Sequence, residues 1–340
     1  MYIEILSKCN AKCAYCYNEN EATHGNSYIT LNLFRRIIED AIALNISRVD
    51  ISGGEPMLHE DLCAMLSISY DSDVEVKLIT NFLIYNEDIY QLLCKHSIPL
   101  QLTLDGPSPE LHNFTRGNMS YEKMCKNIER LYDMGYNGKI IFRINLHADN
   151  YLHIGKTIDA AKSLGASEIT VSRVNQIGAG VNFDKILDEY DDAWTFVENE
   201  IENARSMHDE IEVTFTKPRA SMGCPYYGNS NIECGFKIST NGYVFPCQVF
   251  MDKAFNLGNV KNENLGKILN GEKMNRFLTL MHLRKHFIPE CQECAYKKMC
   301  PTGCPADAFN ANKNIFSLTG RCAERKELMR KNLACFKHSY

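Results

Sequence analysis

The sequence has no run of about 18 apolar residues, the length a helix needs to cross a bilayer. It also lacks a signal peptide, because its opening residues, MYIEILSKC, are too short and too polar for a hydrophobic export region. There is no basic tail and no sustained lysine or arginine stripe, and the net charge is -5. These absences argue against a membrane partner and a nucleic-acid partner and lead to the expectation of a cytoplasmic chain. Internal repeats and low-complexity tracts are also missing. What remains is ordinary globular composition, 45% hydrophobic and 23% charged over 340 residues. That length suits one domain of about 200 residues with a smaller companion.

Residues 1 to 175 alternate short strand-like runs with longer helical ones. The strand candidates are 2–6, 48–52, 74–80, 100–105, 140–146 and 168–174, all rich in Val, Ile, Leu or Thr. Helical patterns lie between them at 31–44, 58–69, 86–96, 121–134 and 151–164. In the first, Leu33, Ile37, Ile38, Ala41 and Ile42 share a face. This rhythm predicts an α/β fold with a parallel sheet, either a partial (βα)6 TIM-like barrel or an open sheet. Residues 184–208 read as an acidic, solvated helix and 211–215 as a further strand. Asn241-Gly242 between apolar runs predicts a hairpin over 235–247. The expected division is 1–208 for the core and 209–340 for a cysteine-rich domain.

Fifteen cysteines are unusual for a chain with no export signal, and metal binding explains them better than disulfides. Cys9, Cys13 and Cys16 form C-x3-C-x2-C directly after the first strand. A cubane iron–sulfur cluster takes four thiolates, so three leave one iron open for chemistry. A zinc loop is the plainer alternative. At the carboxyl end of a parallel strand, such a loop sits where active sites collect. Three more strand ends carry SGGEP (52–56), LTLDG (102–106) with HNFTRG (112–117) after it, and FRIN (142–145).

This set, with Tyr15 before the last cysteine, resembles the radical S-adenosylmethionine (SAM) superfamily. The resemblance implies that SAM chelates the open iron and that an electron from the cluster cleaves it. A 5′-deoxyadenosyl radical then takes a hydrogen atom from the substrate. It also implies SAM contacts at Tyr15, Gly53, Gly54, Glu55, Thr103, Arg116 and Arg143. Gly53 and Gly54 would admit the methionine moiety closely, and Glu55 would accept from its ammonium.

The C-terminal cysteines resemble the SPASM domain, in the order Gly242-x4-Cys247, Cys291-x2-Cys294-x5-Cys300-x3-Cys304 and Cys322. That resemblance implies two auxiliary [4Fe-4S] clusters, three in the chain altogether. One would use Cys224, Cys234, Cys247 and Cys304, and the other Cys291, Cys294, Cys300 and Cys322. If Cys224 does not bind, the first auxiliary cluster has an open iron. Structural zinc is the alternative for these pairs. Cys63, Cys94 and Cys125 read as small core residues, and Cys335 lies in the tail. His282 and His286 read as a solvated helix face.

The combined resemblance implies a radical SAM maturase of ribosomally made peptides (RiPP maturation), forming a cross-link or thioether. The alternatives are an anaerobic sulfatase-maturing enzyme, a radical peptide epimerase and a non-enzymatic metal scaffold. Sulfatase-maturing relatives carry an aspartate base directly after the Gly-x4-Cys cysteine. Here Gln248 stands there, and an amide cannot take a proton near neutral pH. No catalytic residue is assigned. Expected partners are a peptide or protein substrate and a one-electron reductant such as flavodoxin or ferredoxin. Because the sequence opens at the first strand, leader recognition is expected from a separate protein, or from the barrel mouth and residues 175–235.

Overall fold

The computed structural model describes residues 1–18, 26–72, 74–187, 193–208, 210–216, 224, 235–250, 252–300, 302–318, 322, 323, 325, 326, 329 and 330. Cys234 and Cys335 lie outside the described residues. The first seven strands are β1 (Tyr2–Leu6), β2 (Arg48–Gly53), β3 (Glu75–Ile79), β4 (Leu100–Thr103), β5 (Ile140–Leu146), β6 (Ala166–Arg173) and β7 (Glu212–Thr216). They lie side by side in chain order and all pair in parallel. The connecting helices include α1 (Leu31–Ala43), α2 (Leu62–Asp71), α3 (Glu87–His96), α4 (Pro109–Arg116), α5 (Ser120–Asp133), α6 (Ile154–Ser163) and α7 (Ala193–Met207). Neighbour-to-neighbour order is the singly wound pattern of a barrel, not the doubly wound order of an open sheet. The series runs one strand beyond the expected six, because 212–216 pairs with β6.

Strand alternation separates two faces. Ile3, Ile5, Val49, Ile51, Val76, Leu78, Leu100, Leu102, Phe142, Ile144, Ile169 and Val171 join the buried core. The opposite phase is mostly polar, with Tyr2, Glu4, Asp50, Ser52, Lys77, Gln101, Thr103, Arg143 and Asn145. Parallel sheets are usually apolar on both faces, so this polar inner face reflects a cavity rather than a packed interior.

The helices cover the outer face. Thr30 caps α1 by accepting from the Leu33 amide at 3.3 Å. Leu33, Phe34, Ile37, Ile38 and Ala41 are buried, whereas Ile42 is 46% exposed. The expected stripe is therefore rotated by part of a turn. The acidic helix also departs from expectation. It starts at Ala193 and buries Trp194, Val197, Ile201 and Ala204, so its acidic residues mark only its outer side.

Three further strands extend the sheet past β1: β8 (Lys237–Ile238), β9 (Tyr243–Phe245) and β10 (Gly258–Asn259). β8 and β9 form the predicted antiparallel hairpin, and β8 joins β1 in parallel. Arg36 of α1 donates to the Val260 carbonyl at 2.7 Å, and Asp40 accepts from the Leu265 amide at 2.7 Å. The hairpin is also fastened by a buried ion pair, Lys237 to Glu4 at 3.1 Å, with Tyr17 and Asn18 donating to the same carboxylate oxygen. His282 and His286 are exposed, as expected. Among the described residues no helix is long and apolar enough to cross a membrane.

Removing one partner of a buried pair strands the other charge. Lys237→Met should therefore cost about 3–5 kcal/mol, read as a lowered urea midpoint, and a Glu4→Gln/Lys237→Met double variant should regain part of the loss.

Candidate functional site

The cysteine loop after β1 has almost no regular structure of its own, so its backbone must be satisfied by its surroundings. Each strand end contributes. The Gly54 amide donates to the Leu6 carbonyl at 2.6 Å, and the Glu55 amide to the Lys8 carbonyl at 2.9 Å. Asn81 after β3 donates to Asn10 at 2.8 Å. The Ala14 amide donates to Thr115 at the end of α4 at 2.8 Å, and the Ala179 amide, after β6, to Cys16 at 2.9 Å. A Cβ on Gly53 would collide with the Leu6 carbonyl oxygen, and one on Gly54 with those of Ser7 and Lys8. Both glycines are required by the close seating of the cysteine loop, a role sequence reasoning had given only to a ligand.

The loop opens into one cavity of about 420 Å3 on the polar face of the sheet. Cys9, Cys13, Cys16, Tyr15, Gly53, Gly54, Glu55, Thr103, Arg116 and Arg143 all line it. Every residue nominated for the N-terminal site is thus gathered at one place. Gln248 and Val249 enter the same cavity from beyond the β8–β9 hairpin.

Asp105, which sequence reasoning passed over, holds this wall together. It is fully buried. Its Oδ2 accepts from Tyr15, from Thr115 at 2.8 Å and from Arg116 Nε at 2.9 Å, and its Oδ1 accepts from the Asn145 amide at 3.3 Å. Burial pushes the carboxyl up, but Arg116, His112 and the hydrogen bonds outweigh it and hold Asp105 below the usual carboxylate range. Arg116 then turns its Nη1 to the Cys13 sulfur at 3.3 Å and lies over the Tyr15 ring at 5.4 Å. The signal was present in LTLDG, where an acid ends an apolar strand and must find a cation.

Glu55 is equally committed. It accepts from Thr80 at 2.6 Å, from the Asn81 amide at 2.8 Å and from the Met57 amide at 3.0 Å. A carboxylate offers about four lone-pair sites, so about one remains for a ligand. Arg143 donates to Asn145 at 3.1 Å from the strand beside Thr103.

The donor set fits an iron–sulfur group. Three thiols share one cavity, and two of them already accept hydrogen bonds, Cys13 from Arg116 and Cys9 from the Ala11 amide at 3.4 Å. Burial pushes the Cys9 thiol up to about 12, so metal must displace its proton. Among the described residues no group of three His, Cys, Asp or Glu side chains is drawn together around a single ion. A cubane spreads its thiolates, one to each iron.

The C-terminal cysteines fall into two places. Cys291, Cys294, Cys300 and Cys322 surround one small pocket, together with Lys285, Glu290, Lys297, Arg325 and Lys326. Burial pushes the Cys304 thiol up to about 12, and Cys247 lies close enough to add to the rise. Cys224 joins Cys304 in the electrostatic surroundings of Arg284. Cys291, Cys294, Cys300 and Cys322 are thus brought together, and so are Cys247 and Cys304; Cys224 is linked to Cys304 through Arg284, which Cys291 also faces, and Cys234 lies outside the described residues. Cys63 and Cys94 pack half-buried against the core, and Cys125 lies half-buried against Tyr121.

Comparison with known proteins identifies this arrangement. Residues 3–161 match the radical SAM superfamily, and residues 230–295 match the SPASM iron–sulfur cluster-binding domain. The chain is a radical SAM enzyme with a SPASM domain. It is 24% identical to the antilisterial bacteriocin subtilosin biosynthesis protein AlbA of Bacillus subtilis, over 91% of this chain and 68% of that one. It is 21% identical to a cysteine-type anaerobic sulfatase-maturating enzyme of Clostridium perfringens, over 94% of this chain and 92% of that one. Streptococcus suis SuiB, solved with S-adenosylmethionine and with its precursor peptide SuiA, superposes with a TM-score of 0.75 at 16% identity. It covers 94% of this chain, which spans 76% and 74% of those two SuiB structures. Iron–sulfur and SAM binding follow from the two domains.

Burial, only partly offset by its hydrogen bonds, raises the Glu55 carboxyl from 4.5 to about 7. A folded-state pKa above the unfolded value means that the folded protein binds the extra proton between them. Stability is then fully present below about pH 4.5 and falls as pH rises to about 7. The loss is on the order of 3 kcal/mol. Urea midpoints of the apoprotein should show this fall, and Glu55→Gln, destabilised at every pH by its mismatched amide, should lack that segment of the slope.

Proposed function

We propose that this enzyme is a radical SAM peptide maturase, which oxidises a residue of a ribosomally made peptide to form a cross-link or thioether. The observation that carries the reading is one cavity lined from both parts of the chain. It is lined by the cysteine loop, the SGGEP turn and Arg143 on one side, and by Gln248 of the cysteine-rich domain on the other. A substrate placed there would meet the N-terminal cysteines and Gln248, the residue next to Cys247. AlbA is named for bacteriocin biosynthesis, and SuiB was solved with a precursor peptide, which supports a peptide as the class of substrate.

Cys9, Cys13 and Cys16 would hold a [4Fe-4S] cluster with one iron left to SAM, and two further clusters would occupy the C-terminal cysteine groups. When bound, these groups supply one-electron chemistry that generates and then oxidises a substrate radical. The chain's own residues do the positioning. Asp105 fixes Arg116 and Tyr15 against the cysteine loop. Glu55 and the backbone of Gly53 and Gly54 would offer acceptors for an ammonium, and Arg143 and Thr103, which line the same cavity, would meet the remaining polar groups of SAM. Asp50, Lys77 and Gln101 form a hydrogen-bonded polar floor, with Lys77 3.4 Å from Asp50 and 2.9 Å from Gln101.

Gln248 argues against formylglycine formation, even though a sulfatase-maturating enzyme is among the relatives. It lines the cavity at the position where that chemistry needs a base, and an amide cannot serve. The electron source proposed is a flavodoxin or ferredoxin.

The test is anaerobic co-expression with a short peptide encoded beside the gene. The expected result is an intact mass lower by two hydrogens, abolished by Cys13→Ala. Deuterium uptake from heavy water without mass loss in ordinary water would replace this reading with epimerisation. The purified chain should carry about twelve irons, four per cubane. About four irons with two zincs would overturn the auxiliary clusters.

A further inference from the structure

The helix Glu272–Phe287 buries an arginine in the middle of the cysteine-rich domain. Arg284 is 1% exposed. Its Nε donates to the Ile315 carbonyl at 2.5 Å. Its Nη1 donates to the carbonyls of Thr302 at 3.1 Å and Gly303 at 2.7 Å and to the Thr302 hydroxyl at 3.4 Å, and its Nη2 donates to the Ser317 carbonyl at 3.1 Å. Every one of these acceptors is neutral, and among the described residues no carboxylate pairs with it. A buried cation without an anion is costly. Burial pulls the guanidinium down from its ordinary value. The groups that act against this are the thiols of Cys304, Cys224 and Cys291, while Arg325 adds to it. Cys304 belongs to one cysteine group and Cys291 to the other. Arg284 grips Gly303, next to Cys304, and Thr302, which lines the Cys291 pocket, so it is within reach of both groups. The carbonyls it grips flank Cys304 on one side and precede Cys322 on the other.

A cluster with four thiolates carries net negative charge, and each added electron increases it. Its potential responds to nearby charge and hydrogen bonding. A fixed cation in a low-dielectric interior stabilises the reduced state most. Four carbonyls lock the guanidinium, so it cannot turn away when the charge changes.

We propose that Arg284 is a tuning residue shared by the two auxiliary clusters, raising the reduction potential of both so that they accept an electron from the substrate radical. The inference rests on the two-cluster reading above.

The experiment uses the full chain with Cys9, Cys13 and Cys16 replaced by Ala, so that only auxiliary signals remain. Iron and zinc are counted after anaerobic reconstitution, and midpoint potentials are read by redox titration followed by electron paramagnetic resonance. Arg284→Gln and Arg284→Met remove the charge, and Arg284→Lys keeps it. A neutral variant that retains iron should be reduced at least tenfold less readily, a 59 mV fall for a one-electron couple, and Arg284→Lys should stay closer to the unsubstituted chain. Loss of iron in both neutral variants with retention in Arg284→Lys would also support the charge. Retained iron with unchanged potentials overturns the inference, as does loss of iron from all three variants, which would make Arg284 a structural pin. Zinc in place of iron before any Arg284 substitution would instead overturn the cluster reading on which the inference stands.

Discussion

Asp105 is a carboxylate with no access to water, and the candidate site depends on where its charge is spent. Left alone, a buried carboxylate takes up a proton. Here it is held ionised by Arg116 and by hydroxyl and amide donors. The same contacts join β5, the end of α4 and the cysteine loop at one point. The second half of Arg116 is thereby aimed at Cys13. Three segments far apart in the chain are placed relative to one sulfur by one ionised group. The packing of apolar side chains alone would not fix that orientation, because it is not directional.

The cavity exists because the sheet is amphipathic. Its outer face takes the apolar strand residues and the helices, while its inner face carries Asp50, Lys77, Gln101, Thr103, Arg143 and Asn145. This was legible in the sequence as alternation within VEVKLIT, LQLTLD and IIFRINL. Strand composition predicted the parallel sheet, whereas the lined face is marked by the phase of the polar residues, which composition does not report. What could not be read was pairing across the chain. Nothing in SGGEP shows that the missing Cβ atoms make room for Ser7 and Lys8 rather than for a ligand. Nothing in an acidic stretch shows that its other face carries Trp194 to the core. The stripe of α1 was displaced for a similar reason: Phe34 points at the sheet and Ile42 does not, a matter of helix orientation that periodicity leaves open.

The cysteine-rich domain is not appended at a distance. Its hairpin continues the sheet through β8, and Lys237 carries a charge into contact with Glu4 on the first strand. The cost of burying both charges is offset only if the geometry is kept, so the pair acts as a register mark for the hairpin. Gly242 and Cys247 follow on the same hairpin, and Gln248 enters the cavity immediately after it. A shift of the hairpin by one residue would turn its side chains to the opposite face and remove Gln248 from the site. The buried ion pair on β1 thus bears directly on which side chain enters the cavity.

Each cysteine group also has a cation placed against it. Arg116 meets Cys13, Lys237 acts on Cys247, Arg284 acts on both Cys304 and Cys291, and Arg325 lines the pocket of Cys291 and Cys322. The chain as a whole is acidic, with net charge -5, so these cations do not follow from composition. Thiols gathered in a protein interior are pushed toward the neutral form by burial, as Cys9 and Cys304 are. Neutral thiols would need no cations. The recurrence of a buried or half-buried arginine or lysine at each group is what an anionic, thiolate-bound centre requires, and it appears where the cysteine spacing had already placed one.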